Sequence, residues 1–153
     1  MAYVSYRKEI IVPEELKLKV ERFGEMYYAK VGRGLVCTSG LRSAQRQAEA
    51  MYENYVLGRN VIYKNQSYEN EIKSVWTECH NRPTTPRERT IAEMTMVIEA
   101  QIRRGAYISA HLTGNAADWS KIMTDIAVFS SIAHLANCYL QVESSCLHTT
   151  FLT

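Results

Sequence analysis

A histidine and an aspartate stand seven residues apart in the stretch SAHLTGNAADW, residues 109–119. Imidazole and carboxylate groups bind zinc in catalytic sites, which take three protein ligands and keep a fourth position for water. Ligands so close in sequence need a chain reversal, which Gly114 permits, and the two alanines before the aspartate allow tight backbone packing behind a metal. The spacing therefore predicts either two ligands of one metal, His111 and Asp118, or a histidine held by hydrogen bonds in a loop.

A third ligand has to come from elsewhere in the chain, preferably from a rigid strand. His148 in CLHTTF is the natural candidate, because its strand-like segment could pair beside AYISAH, residues 106–111. His134 lies near the end of an amphipathic helix, where the helix dipole favours it. His80 lies in a polar stretch and is as well explained by solvent exposure as by function.

Composition limits the class of protein. The chain has 153 residues, 46% hydrophobic and 22% charged, which predicts one folded domain over residues 1–153. A net charge of +2, without a basic cluster interleaved with aromatics, gives no reason to expect a nucleic-acid partner. No apolar run reaches the length of about 18 residues that a membrane-spanning helix needs, so we expect no membrane insertion. The first residues, MAYVSYRKEIIV, lack the apolar centre of a signal peptide, so we expect synthesis in the cytoplasm.

Four cysteines are scattered along the chain without a CxxC pair, which predicts reduced, partly buried thiols in a cytosolic product.

Apolar spacing and capping signals predict a mixture of helices and strands. We expect helices over residues 13–30, from Ser43 to Tyr55, from a capping box at Thr85–Glu88 to Gly105, and from Ser120 onward through Ile122 and Ile132. We expect strands over 34–40, 106–110, 138–143 and 147–152, the last two joined as a hairpin by residues 144–146. Residues 58–84 are polar and weakly periodic, which predicts a long excursion, with at most a short helix near 71–76, that could act as a lid. The order lacks a regular strand–helix alternation and favours an α+β fold over a doubly wound one.

Two motifs and a final histidine give the chain a family resemblance. SAHLTGNAAD matches the pattern SxHxxGxAxD at every fixed position, and TSGLRSAQRQ, residues 38–47, looks like a segment SGxRS…Q. His148 follows in the order of the last metal ligand. The chain from about residue 34 onward thus resembles the zinc D-Ala-D-Ala carboxypeptidase family, which includes D-Ala-D-Ala dipeptidases and phage L-alanyl-D-glutamate endopeptidases.

The resemblance implies a fold and a set of roles. The fold is that shared by Hedgehog domains and DD-peptidases, a small, mostly antiparallel sheet flanked by helices, with zinc on the sheet face. His111, Asp118 and His148 would bind Zn²⁺. Arg42 would bind the substrate and act in catalysis at its carbonyl oxygen. Ser109 would bind the substrate backbone, with capping of its own loop as the alternative.

Catalysis also needs a carboxylate to accept a proton from the zinc-bound water. Many relatives place it three residues before the last histidine, where this chain has Ser145. We expect Glu143 to serve instead, facing His148 if residues 144–146 form a tight turn. The alternative is an exposed hairpin glutamate in a degenerate site. Cys146 would share a strand face with His148, either as a buried thiol or as a thiolate that closes the open zinc position.

The implied function is hydrolysis of peptidoglycan stem peptides. The single-domain size is similar to that of phage endolysins, which are made in the cytoplasm and act on the cell wall after release. We therefore expect a monomer that cuts the L-Ala–D-Glu bond. One alternative is a D-Ala-D-Ala carboxypeptidase or dipeptidase. The other is a phage structural or tail-associated protein, attached to the virion, that keeps the fold as a binding module.

Overall fold

The structure is a computed structural model and describes residues 3–152. Its elements in chain order are β1 (Val4–Tyr6), α1 (Glu14–Val31), β2 (Leu35–Ser39), α2 (Ala44–Val56), α3 (Gln66–His80), α4 (Arg87–Arg103), a one-turn 3₁₀ helix (Ala110–Leu112), β3 (Ala116–Trp119), α5 (Ile126–Leu135), β4 (Cys138–Val142) and β5 (Leu147–Phe151). The chain divides into two units, one of residues 1–41 and 113–153 and one of residues 42–112.

The first unit contains the five-stranded sheet, in the order β1-β2-β3-β5-β4. β1 and β2 run parallel, and the other three neighbouring pairs run antiparallel. The predicted α+β class with a mostly antiparallel sheet is therefore confirmed. The strand predictions over 34–40, 138–143 and 147–152 are confirmed within one or two residues at each end, and the last two form the predicted hairpin.

Helix α1 packs its apolar face into the core of this unit. Two glutamates open the helix, where the positive end of the dipole favours them, and Gly32 ends it with a left-handed φ of 74°. Phe23 lies 5.1 Å from Trp119 of β3 and 4.8 Å from Phe129 of α5, measured between ring centroids. This aromatic cluster holds β3 from the side of the helices and so fixes the strand that carries Asp118.

Two predictions around the 109–119 motif are wrong. Residues 106–110 form no strand, and β3 lies after the motif's turn rather than before it. The helix predicted from Ser120 begins only at Ile126, where the Asp125 carboxylate accepts a hydrogen bond from the Val128 N–H at 3.1 Å. The Ser120 hydroxyl instead accepts from the N–H of Ile122, whose side chain is 81% exposed.

The second unit is built from α2, α3 and α4. The Ser43 hydroxyl accepts from the Arg46 N–H at 3.2 Å, as its predicted capping role requires. The three helices bury a common apolar cluster: Ala48, Met51, Ile72, Ile91, Met94, Ile98 and Ile108. No helix within residues 3–152 combines the length and apolar character that crossing a membrane requires.

The long excursion predicted over residues 58–84 is wrong, because 15 of those residues form α3. The Asn65 side chain caps this helix by accepting from the Tyr68 N–H. Only Ile72 and Cys79 of α3 are buried, two positions seven residues apart. So narrow an apolar stripe leaves little periodic signal in the sequence.

The capping box predicted at Thr85–Glu88 is also wrong. Pro86 is the N-cap residue of α4, and no side chain makes a capping hydrogen bond there. The helix ends at Arg103, just before Gly105, whose φ is 76°. Pro86 and Gly105 therefore mark the two ends of the helix through their backbone preferences. The predicted start near Pro86 and the predicted stop near Gly105 are confirmed.

Candidate metal centre

Strands β3 and β5 bring Asp118 and His148 together. The two residues are direct partners in the antiparallel register, and the Asp118 Oδ1 atom lies 2.9 Å from His148 Nδ1. Both side chains are largely shielded from solvent, with 8% of Asp118 and 13% of His148 exposed. Direct partners in an antiparallel pair have Cβ atoms roughly 5 Å apart, which fits two ligands of one ion.

His111 lies in the 3₁₀ helix and is 1% exposed. Its backbone N–H donates to the Ser109 hydroxyl at 3.2 Å, and its carbonyl oxygen accepts from the Arg42 N–H at 2.9 Å. Gly114 then reverses the chain with a φ of 74°, and β3 begins two residues later. The reversal predicted at Gly114 is therefore confirmed.

The three predicted metal ligands form one cluster. One ligand atom from each of His111, Asp118 and His148 lies within 4.8 Å of the others. Two imidazoles and one carboxylate are a donor set typical of catalytic zinc sites. These residues can therefore hold a divalent metal ion.

His148 reaches this cluster by a different route from the one predicted. Its strand pairs with β3, so Asp118 is its neighbour in the sheet, whereas residues 106–110 are not part of the sheet. The ring has a second contact, because its Nε2 atom lies 3.1 Å from the Thr150 hydroxyl. Sequence analysis missed Thr150, although residues two apart in a strand share a face.

Arg42 lies between β2 and α2, where its guanidinium donates to the Gln47 side-chain oxygen at 3.1 Å. Gln47 is fully buried, so this contact holds the arginine side chain against a fixed partner. Ser109 caps its own loop through the His111 N–H, which is the alternative role that its sequence context suggested. Contact of Arg42 or Ser109 with a substrate remains a prediction.

The hairpin between β4 and β5 places Glu143 two residue pairs away from His148, the residue it was predicted to face. Gln141 is the direct partner of His148, and Val142 that of Leu147. The Glu143 N–H donates to the Cys146 carbonyl at 2.9 Å, which closes the tight turn expected over residues 144–146. Because alternate pairs share a face, Glu143 and Cys146 lie on the same face as His148.

Burial and the carboxylates of Asp118 and Glu143 raise the pKa of the Cys146 thiol. The Cys146 Sγ atom donates to Glu143 Oε1 at 3.5 Å. Burial is the largest cause of the raised pKa, and the negative charges of the two carboxylates raise it further. In the metal-free protein Cys146 is therefore a protonated thiol, which agrees with the buried-thiol prediction. Its coordination of zinc is not tested by this geometry.

Comparisons of the chain with family models, with curated proteins and with solved structures return no match. The resemblance to the zinc carboxypeptidase family therefore rests on the motifs in the sequence alone.

Proposed function

We propose that this chain is a zinc-dependent peptidase that hydrolyses an amide bond of peptidoglycan stem peptides, in particular the L-Ala–D-Glu bond. The observation that carries the proposal is the cluster of His111, Asp118 and His148, which joins two motif residues with the predicted last histidine. A zinc ion held there would polarise the scissile carbonyl and lower the pKa of a bound water to about 7.

The chain's own residues supply the rest of the chemistry. The Glu143 carboxylate accepts a proton from the attacking water and delivers it to the leaving amine. The Arg42 guanidinium donates hydrogen bonds to the oxygen that gains negative charge during attack. Ser109 binds the substrate backbone. We propose that the protein acts as a monomer on the bacterial cell wall, after synthesis in the cytoplasm and release.

A second function, binding without turnover in a phage structural or tail-associated protein, is favoured by two observations. Ser145 occupies the position where many members of the resembled family carry the base, and the Cys146 thiol donates to Glu143 Oε1 at 3.5 Å, on the same strand face as His148. A thiolate that took the open metal position would leave a folded but inactive site.

Digestion of purified peptidoglycan separates these functions. Zinc-loaded protein should release peptides whose new amino terminus is D-Glu, identified by mass spectrometry. Free D-Ala, released from a stem peptide that then ends in one D-Ala, would instead indicate the carboxypeptidase alternative. Hydrolysis of the free dipeptide D-Ala-D-Ala, assayed in parallel, would indicate the dipeptidase. Zinc-loaded protein that releases nothing would favour the binding module.

The matched variants are His148→Ala and His134→Ala. His134 is an exposed histidine in the last turn of α5 and is not a proposed ligand. Elemental analysis should find about one zinc per chain in the wild type and in His134→Ala, and far less in His148→Ala. Full zinc retention in His148→Ala would remove that residue from the site.

A further inference from the structure

His148 has a partner on each of its two ring nitrogens. Nδ1 lies 2.9 Å from Asp118 Oδ1, and Nε2 lies 3.1 Å from Thr150 Oγ1. All three residues lie on the paired strands β3 and β5, so the ring is held from the Asp118 side and from the Thr150 side by the same sheet. The nitrogen that faces Asp118, one of the proposed metal ligands, is Nδ1.

A hydroxyl group can form a hydrogen bond with His148 Nε2 both in the metal-free protein and when a cation is bound to Nδ1. Without a metal, a neutral imidazole keeps its proton on Nδ1 and donates it to the Asp118 carboxylate, so Nε2 needs a donor. With a cation on Nδ1, the ring proton must be on Nε2, which then needs an acceptor. A threonine hydroxyl can donate in the first state and accept in the second. A valine side chain of the same shape can do neither.

We propose that Thr150 is a positioning residue that directs His148 Nδ1 toward the metal, an inference that rests on the proposed metal site. Hydrogen bonds to the second nitrogen of a ligating histidine fix its tautomer and raise its basicity, and their loss typically lowers metal affinity by about 10- to 100-fold. Thr150 acts through His148 and does not touch the ion.

The test is the zinc dissociation constant, measured by competition with a chromogenic chelator. Thr150→Val keeps the side-chain shape and loses the hydroxyl, so zinc should bind about 10- to 100-fold more weakly. Thr150→Ser keeps the hydroxyl and should bind within about threefold of the wild type, a rescue that a purely structural role for the threonine would not give. Thr150→Ala, a second variant without the hydroxyl, should weaken binding like Thr150→Val.

The outcomes separate this inference from the proposed function. Wild-type affinity in a folded Thr150→Val or Thr150→Ala protein would overturn the role of Thr150 and leave the proposed function standing. A wild type that binds zinc but releases no peptide would overturn the proposed function, while the threonine comparison would still stand. A wild type that binds no zinc would overturn both.

Discussion

Asp118 is a carboxylate in a strand whose four residues are all buried, and its side chain is only 8% exposed. Burial of an ionised carboxylate costs several kcal/mol unless a partner compensates for the lost water. His148 Nδ1, at 2.9 Å, is one such partner. A strand that only filled a core would carry an apolar residue at this position. A buried carboxylate paired with His148 fits the proposed ligand role.

Glu143 is the residue that decides between an enzyme and a binding module. Glu143→Gln is nearly isosteric, so folding and zinc content should survive. An amide cannot accept the proton of the attacking water, so turnover should fall by about 10²- to 10⁴-fold. The measurement is the release of new amino groups from purified peptidoglycan, with zinc measured in the same samples.

Glu25→Gln, at an exposed position of α1, is the matched control and should keep full activity. A zinc-loaded Glu143→Gln protein as active as the wild type would place the base elsewhere, with Glu78 and Asp125 as the next candidates.

Arg42 is expected to act on the substrate and not on the metal. Arg42→Ala should leave zinc bound and lower turnover by about 10²-fold, the usual effect of losing one oxyanion donor. Arg46→Ala, four residues along in α2, removes an exposed arginine that pairs with Glu49 and serves as the control. Activity of Arg42→Ala within a factor of two of the wild type would reduce Arg42 to a structural contact with Gln47.

At the scale of elements, the pairing of β3 with β5 sets the geometry of the site. Below the ligand face, the Trp119 indole N–H donates to the Thr149 hydroxyl at 2.9 Å, and that hydroxyl donates to the Ala117 carbonyl at 3.0 Å. Thr149 and Trp119 are fully buried. This pair of hydrogen bonds ties the two strands together one residue away from both His148 and Asp118.

Thr149→Val should therefore destabilise the fold. The variant keeps the shape of the side chain but leaves the buried indole N–H without its acceptor, which costs about 1–3 kcal/mol. Urea unfolding followed by tryptophan fluorescence gives the free energy of unfolding, and Thr149→Ser, which keeps the hydroxyl, should lose less. Equal stability of the valine variant and the wild type would show that these hydrogen bonds do not hold the strands.

The same elements show how much of the fold could be predicted from the sequence. Helices α1 and α2 and the β4–β5 hairpin were predictable, because capping residues and apolar spacing mark them locally. β3 was not, since its four buried residues, AADW, show no alternation of polar and apolar side chains. The cluster of His111, Asp118 and His148 was predictable from residue types, from their order and from the family resemblance. The contact between His148 and Thr150 was not, because a shared strand face allows this contact but does not fix the orientation of the His148 ring.

At the scale of the whole molecule, the sheet unit has a core that contains an ionisable thiol. Cys37 of β2 is fully buried, which raises its pKa to about 12. The unfolded thiol loses its proton near pH 9, so above that pH the folded state binds more protons than the unfolded state. Stability should therefore fall as the pH rises from about 9 toward 12, by up to about 1.4 kcal/mol per pH unit from this group.

Urea unfolding of the metal-free protein at several pH values measures this slope, and Cys37→Ala should make it shallower. Tyr55, whose pKa burial also raises, contributes equally to both proteins. The pKa of Tyr6 is raised mainly by burial and also by the charge of Cys37, so the Tyr6 contribution falls in the variant as well and makes the slope shallower still. Parallel slopes for wild type and Cys37→Ala would show that the thiol titrates alike in both states.

Zinc binding should also stabilise the molecule as a whole. A ligand that binds only the folded state adds about 2.7 kcal/mol to the free energy of unfolding at 100 times its dissociation constant. Unfolded chains with free thiols and histidines also bind zinc, which reduces the gain but does so equally in variants that keep those groups. Wild type and His134→Ala should therefore gain stability when zinc is added and lose it to a chelator, whereas His148→Ala should gain little. Because the two variants lose the same kind of side chain, equal gains in both would place the zinc on the chain's thiols or on other histidines, and not on the cluster that β3 and β5 build.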